Sequence, residues 1–138
     1  MSSTSRIADL AGQEVVALHA FFAAWLREGD APMDFSEVEQ AIGGDFRIIS
    51  PDGSTEEREA VLSSIRNSRG SRGADFRIEV LDPRTIWTGE SAVLLEYTEQ
   101  QYRAGRTTRR RSTALFLANP SAPRGVAWHH LQETWLQA

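Results

Sequence analysis

The sequence predicts an α+β domain with its helices in the first half and an antiparallel sheet in the second. Apolar residues recur at helical spacing in three stretches before residue 70. From residue 74 the period changes to two, which is the signature of half-buried strands. At 138 residues the chain has the size of one ordinary domain, so both patterns belong to a single unit spanning 1–138.

The first helix is RIADLAGQEVVALHAFFAAWLREG, with Ile7, Leu10, Val15, Leu18, Phe22, Trp25 and Leu26 on its apolar arc and Gly29 as its stop. Asp34 and Glu37 form a capping box that opens a short helix carrying Phe35, Val38 and Ile42, ended by Gly43. FRIIS reads as a strand over 46–50, with SPDGS as the turn after it. Ser54 and Glu57 form a second capping box, before a helix that buries Val61, Leu62 and Ile65. Phe76, Ile78 and Val80 then alternate with Arg77 and Glu79. Leu81-Asp82-Pro83 interrupts the strand, because proline cannot donate to a ladder, and predicts a bulge or an edge. The strand resumes through Trp87. Gly89-Glu90 has the glycine-first form of a type II′ hairpin, and Ala104-Gly105 makes the next turn. The remaining strands are SAVLLEYTEQQYRA, RTTRRRSTALFLA and, after the loop NPSAPRG, VAWHHLQETWL.

VLL (93–95), ALFLA (114–118) and VAW (126–128) are apolar on consecutive residues. Strands of that kind need cover on both faces of their sheet. Helices that all precede the meander cover one face, so the sequence predicts a homodimer built through the outer sheet face.

The apolar and charged fractions, 41% and 25%, are those of globular proteins. No uninterrupted apolar run reaches membrane-spanning length, and the N-terminus lacks the basic start and apolar core of a secretory signal, so no membrane partner and a cytoplasmic location are expected. Cysteine is absent, which excludes disulfides and thiolate zinc sites. Every basic residue is arginine, which excludes Schiff-base lysine chemistry. The formal net charge of −4 opposes non-specific nucleic-acid binding, although 11 of the 15 arginines fall after residue 60 and that half can attract a small anion. Neither phosphate-cradling glycine motifs nor a G-x-S-x-G elbow nor H-E-x-x-H occurs, and no cofactor is expected.

HAFFAAWLREG (19–29), DFRIISPDGS (45–54), YTEQQ (97–101), RRSTALF (110–116) and WHHLQETWL (128–136) run through the chain in an order that resembles the nuclear transport factor 2-like superfamily. The likeness is to its branch similar to the association domain of calcium/calmodulin-dependent kinase II, and to its SnoaL-like polyketide-cyclase group. It implies a cone-shaped curved antiparallel sheet of cystatin-like type, with three helices on its concave face and a pocket inside the cone. Members of the superfamily use that pocket for isomerisation, cyclisation, dehydration or hydrolysis, or only for binding, so the fold limits the site and not the reaction. The chain departs from ketosteroid isomerase in lacking its set of one tyrosine and two aspartates.

Within that frame the final strand places Trp128, His130, Gln132 and Thr134 on one face and His129, Leu131, Glu133 and Trp135 on the other. The His130 face is the more polar and is assigned to the pocket. The Leu131/Trp135 face suits a dimer contact, and a single bulge would exchange the two. His130 is the candidate proton carrier, because imidazole titrates near neutrality; a histidine bonded at the pocket rim is the alternative. Glu99 is the candidate second acid or base, sharing a face with Tyr97 and Gln101, with Arg111 of the next strand as its ion-pair partner. His19, Phe22 and Trp25 lie on the inward stripe of the first helix and complete the pocket candidates. His129 and Glu133 would supply only two metal ligands, so no metal site is expected. The reading is a small organic molecule held in an interior pocket, with cofactor-free acid–base chemistry as its extension. The alternative is a non-catalytic association module.

Overall fold

The computed structural model describes residues 3–27 and 33–137; the expected stop at Gly29 lies outside them. Helix α1 runs over Ser3–Arg27, α2 over Ser36–Ala41 and α3 over Arg58–Asn67. Six strands, β1 (Ile42–Ile49), β2 (Thr55–Glu57), β3 (Arg77–Thr88), β4 (Ala92–Arg103), β5 (Arg106–Ala118) and β6 (Val126–Trp135), form one open, curved sheet in the order β2-β1-β6-β5-β4-β3. All neighbours are antiparallel except β1 and β6, which are parallel.

Helix α1 crosses the inner face of the sheet and buries Ile7, Ala11, Val15, Leu18 and Trp25. By length and composition alone Arg6–Arg27 is apolar enough to cross a membrane, but its stripe is covered by Val93, Leu95, Phe116, Val126 and Trp128 of the sheet. Each fully buried side chain of that size contributes about 1.5–3 kcal/mol, which is why this helix organises the core.

The Asp34/Glu37 capping box does not form, since Phe35 is the N-cap of α2 and Asp34 Oδ1 accepts instead from the Ser36 N–H at 3.0 Å. Three more local expectations need correction. Thr55–Glu57 pairs with Ile49–Arg47 as a short edge strand, so the Ser54/Glu57 capping box does not form and α3 starts only at Arg58. Ladder hydrogen bonds to β1 outcompete a side-chain cap there. Gly43 does not end a helix but sits inside β1, where a Cβ would meet the Trp128 carbonyl oxygen at 2.9 Å. Glycine therefore permits the close approach of β1 to β6. Gly89 lacks the positive φ of a type II′ turn; the hairpin closes instead through a Gly89 N–H to Ala92 carbonyl bond of 2.8 Å.

Other features match the expectation. The β3 register shifts between Leu81 and Arg84, with Asp82 at φ 51°. Ala104 and Gly105 both take positive φ, 52° and 79°, and make a two-residue turn that sets Arg103 opposite Arg106. Counting along that ladder fixes every pair between β4 and β5.

Candidate functional site

Period-two alternation aims Val93, Leu95, Tyr97 and Glu99 of β4 at the inside of the cone, and Ser112, Ala114 and Phe116 of β5 beside them. Between this wall, α1 and α3 lies a cavity of about 290 Å³. Leu18, Phe22, Phe46, Ile48, Val61 and Leu131 make most of its surface apolar. Its polar groups are concentrated on His19, Glu99, Arg110 and Glu133.

His19 is the pivot. Its Nδ1 lies 2.7 Å from the Val15 carbonyl, which can only accept, and its Nε2 lies 3.0 Å from Glu99 Oε1. Burial opposes charge on the ring, but the Glu99 hydrogen bond and charge, with the Val15 carbonyl, outweigh it and raise the His19 pKa. Burial likewise opposes charge on Glu99, yet the His19 hydrogen bond and charge, with Arg110 and Gln101, hold its pKa down to about 2. The pair is therefore imidazolium and carboxylate, with protons on both ring nitrogens. Phe22, Tyr97 and Trp128 surround the imidazolium at ring-centroid distances of 6.2, 5.3 and 6.1 Å.

Glu133 is the contrasting carboxyl. Burial and then the charge of Glu99 raise its pKa, against partial relief from Arg110 at 3.4 Å and Ser112 Oγ at 3.2 Å. Two carboxyls pushed in opposite directions beside one cavity is an arrangement suited to acid–base work. Tyr97 Oη is buried beside the Ser112 hydroxyl, which donates to Glu133 and keeps lone pairs to accept from the phenol. Burial, with Glu99 and Glu133, raises the phenol well above its ordinary value of 10.0.

Of the residues singled out in the sequence, His19, Phe22, Glu99 and Trp128 line this cavity. Tyr97 stands behind His19. Trp25 lies away from it, stacked on Phe21 with its indole N–H donating to the Ile65 carbonyl at 2.8 Å. His130, Gln132 and Arg111 are on the outer face. For His130 and Gln132 the cause is a bulge in β6: Phe116 pairs with Trp128 and Leu115 with His130, so His129 is an extra residue; Arg111 faces outward because alternation along β5 turns Arg110 and Ser112 inward. Downstream of it the two faces exchange, Leu131 and Glu133 turning inward and His130 and Gln132 outward. Burial and the charges of Arg47 and His129 lower the His130 pKa on that outer side. His129 and Glu133 part to opposite sides. Arg111 pairs with Thr98 and Thr134, and the partner across from Glu99 is Arg110.

Sequence reasoning missed Arg110 and Glu133. The signal for Arg110 was present: Arg103 opposite Arg106 across Ala104-Gly105 puts Glu99 opposite Arg110. No comparable signal marked Glu133.

The fold also matches solved structures. An NTF2-like protein of unknown function from Pseudomonas aeruginosa superposes with a TM-score of 0.83 at 26% identity, over 93% of this chain and 99% of that one. The fold is that of the nuclear transport factor 2-like superfamily. This NTF2-like chain is also similar in fold to a CaMKII hub from S. rosetta (TM-score 0.71, 12% identity, 99% and 98% of the two chains). A cystatin-like protein from Caulobacter vibrioides has a TM-score of 0.70 at 12% identity, over 94% and 89%. No family model and no curated protein matches the sequence.

Proposed function

We propose that this NTF2-like chain binds a small, partly apolar organic molecule in the cavity between α1, α3 and the inner sheet face. The observation that carries the reading is the pairing of a 290 Å³ apolar chamber with a buried His19–Glu99 ion pair and a second carboxyl, Glu133. The volume is near the lower end for ligand sites, which favours a compact ligand. Glu133, raised by burial, is the group suited to carrying a proton in cofactor-free isomerase, cyclase or dehydratase chemistry. His19 and Glu99 would orient the substrate rather than exchange protons, since each is locked in its charged form.

The test is a thermal-shift screen of small ketones, hydroxy acids and aromatic compounds. A ligand at 100 times its dissociation constant stabilises by about 2.7 kcal/mol. Leu131→Trp, which fills the chamber, should abolish the shift, and His130→Ala on the outer face should not. Glu133→Gln should keep affinity and lose turnover of any substrate found. A screen without hits, or hits indifferent to Leu131→Trp, removes the reading.

A second reading rests on the outer face. Trp87, Leu94 and Leu115 follow one another across the sheet, beside Leu117. Trp87 is 54% exposed and Leu117 38%. Such a row favours a homodimer packed sheet against sheet, in which the chain also serves as an association module; the S. rosetta neighbour is a hub. Light scattering should give twice the chain mass, falling to one for Leu117→Glu. A single-chain mass for the unaltered protein at micromolar concentration would end this reading.

A further inference from the structure

Beyond Arg110 the inner face continues into a cleft of about 380 Å³ toward the β4–β5 hairpin. Arg72, Arg103, Arg106 and Arg110 all line it, with Gln101 and Thr108, and no acidic side chain does. Alternation puts Arg106, Thr108 and Arg110 of β5 on one face, with Gln101 and Arg103 of β4 beside them. Arg72 enters from the α3–β3 loop, held there by its N–H bond to the Leu26 carbonyl at 2.9 Å.

This arrangement by itself opposes stability. Arg103 stands directly across from Arg106, and like charges so placed in a sheet destabilise it. Nε of Arg72 and Nε of Arg110 are both buried without a hydrogen-bond partner, and each such donor costs about 1–3 kcal/mol. Burial, then the charges of Arg103 and Arg110, lower the Arg72 pKa. An oxyanion accepting from the accessible N–H groups of these guanidinium side chains would relieve the like-charge repulsion.

Arg110 belongs to the walls of both the cleft and the interior cavity. Trp135 lies against its guanidinium at 4.6 Å and fixes its plane. The two spaces therefore meet at one side chain, with the mostly apolar cavity and its Glu99 and Glu133 carboxyls on one side and the strongly basic cleft on the other.

We propose that the arginine cleft binds the anionic head, carboxylate or phosphate, of a small organic ligand whose apolar part occupies the interior cavity. The inference rests on the small-molecule reading above and names the class of that ligand. A polyanion such as nucleic acid is disfavoured by the formal net charge of −4 and by the position of the cleft inside the curve of the sheet.

Calorimetry on the full chain at low salt, with benzoate, phenyl phosphate and benzyl alcohol, tests it. At least one of the two anions should bind about tenfold or more tighter than the neutral alcohol. The better anion distinguishes a carboxylate ligand from a phosphate one. Arg72→Gln and Arg103→Gln should each reduce the ratio of anion to alcohol affinity by about tenfold. Arg111→Gln, one residue along but on the outer face, should leave the ratio unchanged. Equal affinity for all three probes, or a ratio unmoved by both cleft variants, overturns the anion site. If a neutral compound still binds in a Leu131→Trp-sensitive way, the cavity reading survives that outcome; if nothing binds, both fall.

Discussion

Two buried glutamates, Glu14 and Glu99, share one core, and their surroundings differ. Glu14 of α1 is 0% exposed, accepts the Trp128 indole N–H at 3.0 Å and meets Arg124 at 3.2 Å. Arg124 also reaches Glu37 at 2.6 Å, so the β5–β6 loop is tied to α1 and α2. Glu14 lines neither the interior cavity nor the cleft beside it. Glu99 is buried too, but its cluster of ionised groups borders a chamber. A buried charge by itself therefore marks nothing. Ionised groups that line open space are what separate a candidate site from a structural clamp.

The comparison can be broken first at the clamp. Arg124→Ala strips Glu14 of its cation and should cost about 3 kcal/mol in urea denaturation, since a broken buried pair leaves an uncompensated charge. A loss below about 1 kcal/mol would mean that Glu14 simply takes up a proton, toward which burial already pushes it.

At the candidate site, Glu99→Gln should cost less, about 1–2 kcal/mol, because His19 can turn neutral and accept from the new amide. Its signature is pH dependence. With His19 raised above 6.5 in the fold, the pair's contribution is complete below that value and is lost as pH rises through the folded pKa. With Glu99 lowered from 4.5, the contribution is also lost as acid takes the pH down toward about 2. Melting curves of the unaltered protein should decline at both ends, and those of Glu99→Gln should decline less. Nitrogen NMR of His19 at neutral pH should find both ring nitrogens protonated; a neutral ring would contradict the ion pair.

The smallest effect belongs to Glu133→Gln. A carboxyl raised in the fold makes stability fall as pH climbs from 4.5 through its folded value. The glutamine variant should match the parent in acid and be slightly more stable at alkaline pH. A large loss instead would make Glu133 a structural ligand of Arg110.

Much of this was legible in the chain. The period change near residue 74 marks the passage from helices to sheet, and Leu81-Asp82-Pro83 marks its bulge. Tyr97, Glu99 and Gln101 share the inner face as alternation requires, and His19 lies on the inward stripe of α1. Glu14 was not singled out from the sequence, although it lies on the stripe that contains Ile7, Ala11 and Leu18. Which face of β6 lines the cavity was not recognisable. VAWHHLQETWL alternates acceptably in either frame, and no proline or glycine within it announces a break.

The amino-acid pattern alone determined the α+β order, the long core helix and the ladder between β4 and β5, because each follows from local periodicity or from a two-residue turn. Tertiary structure alone decided that Glu133, and not His130, faces the chamber. The extra residue His129 is created by pairing with β5 on one side and parallel β1 on the other, and a strand carries no record of neighbours that are distant in sequence.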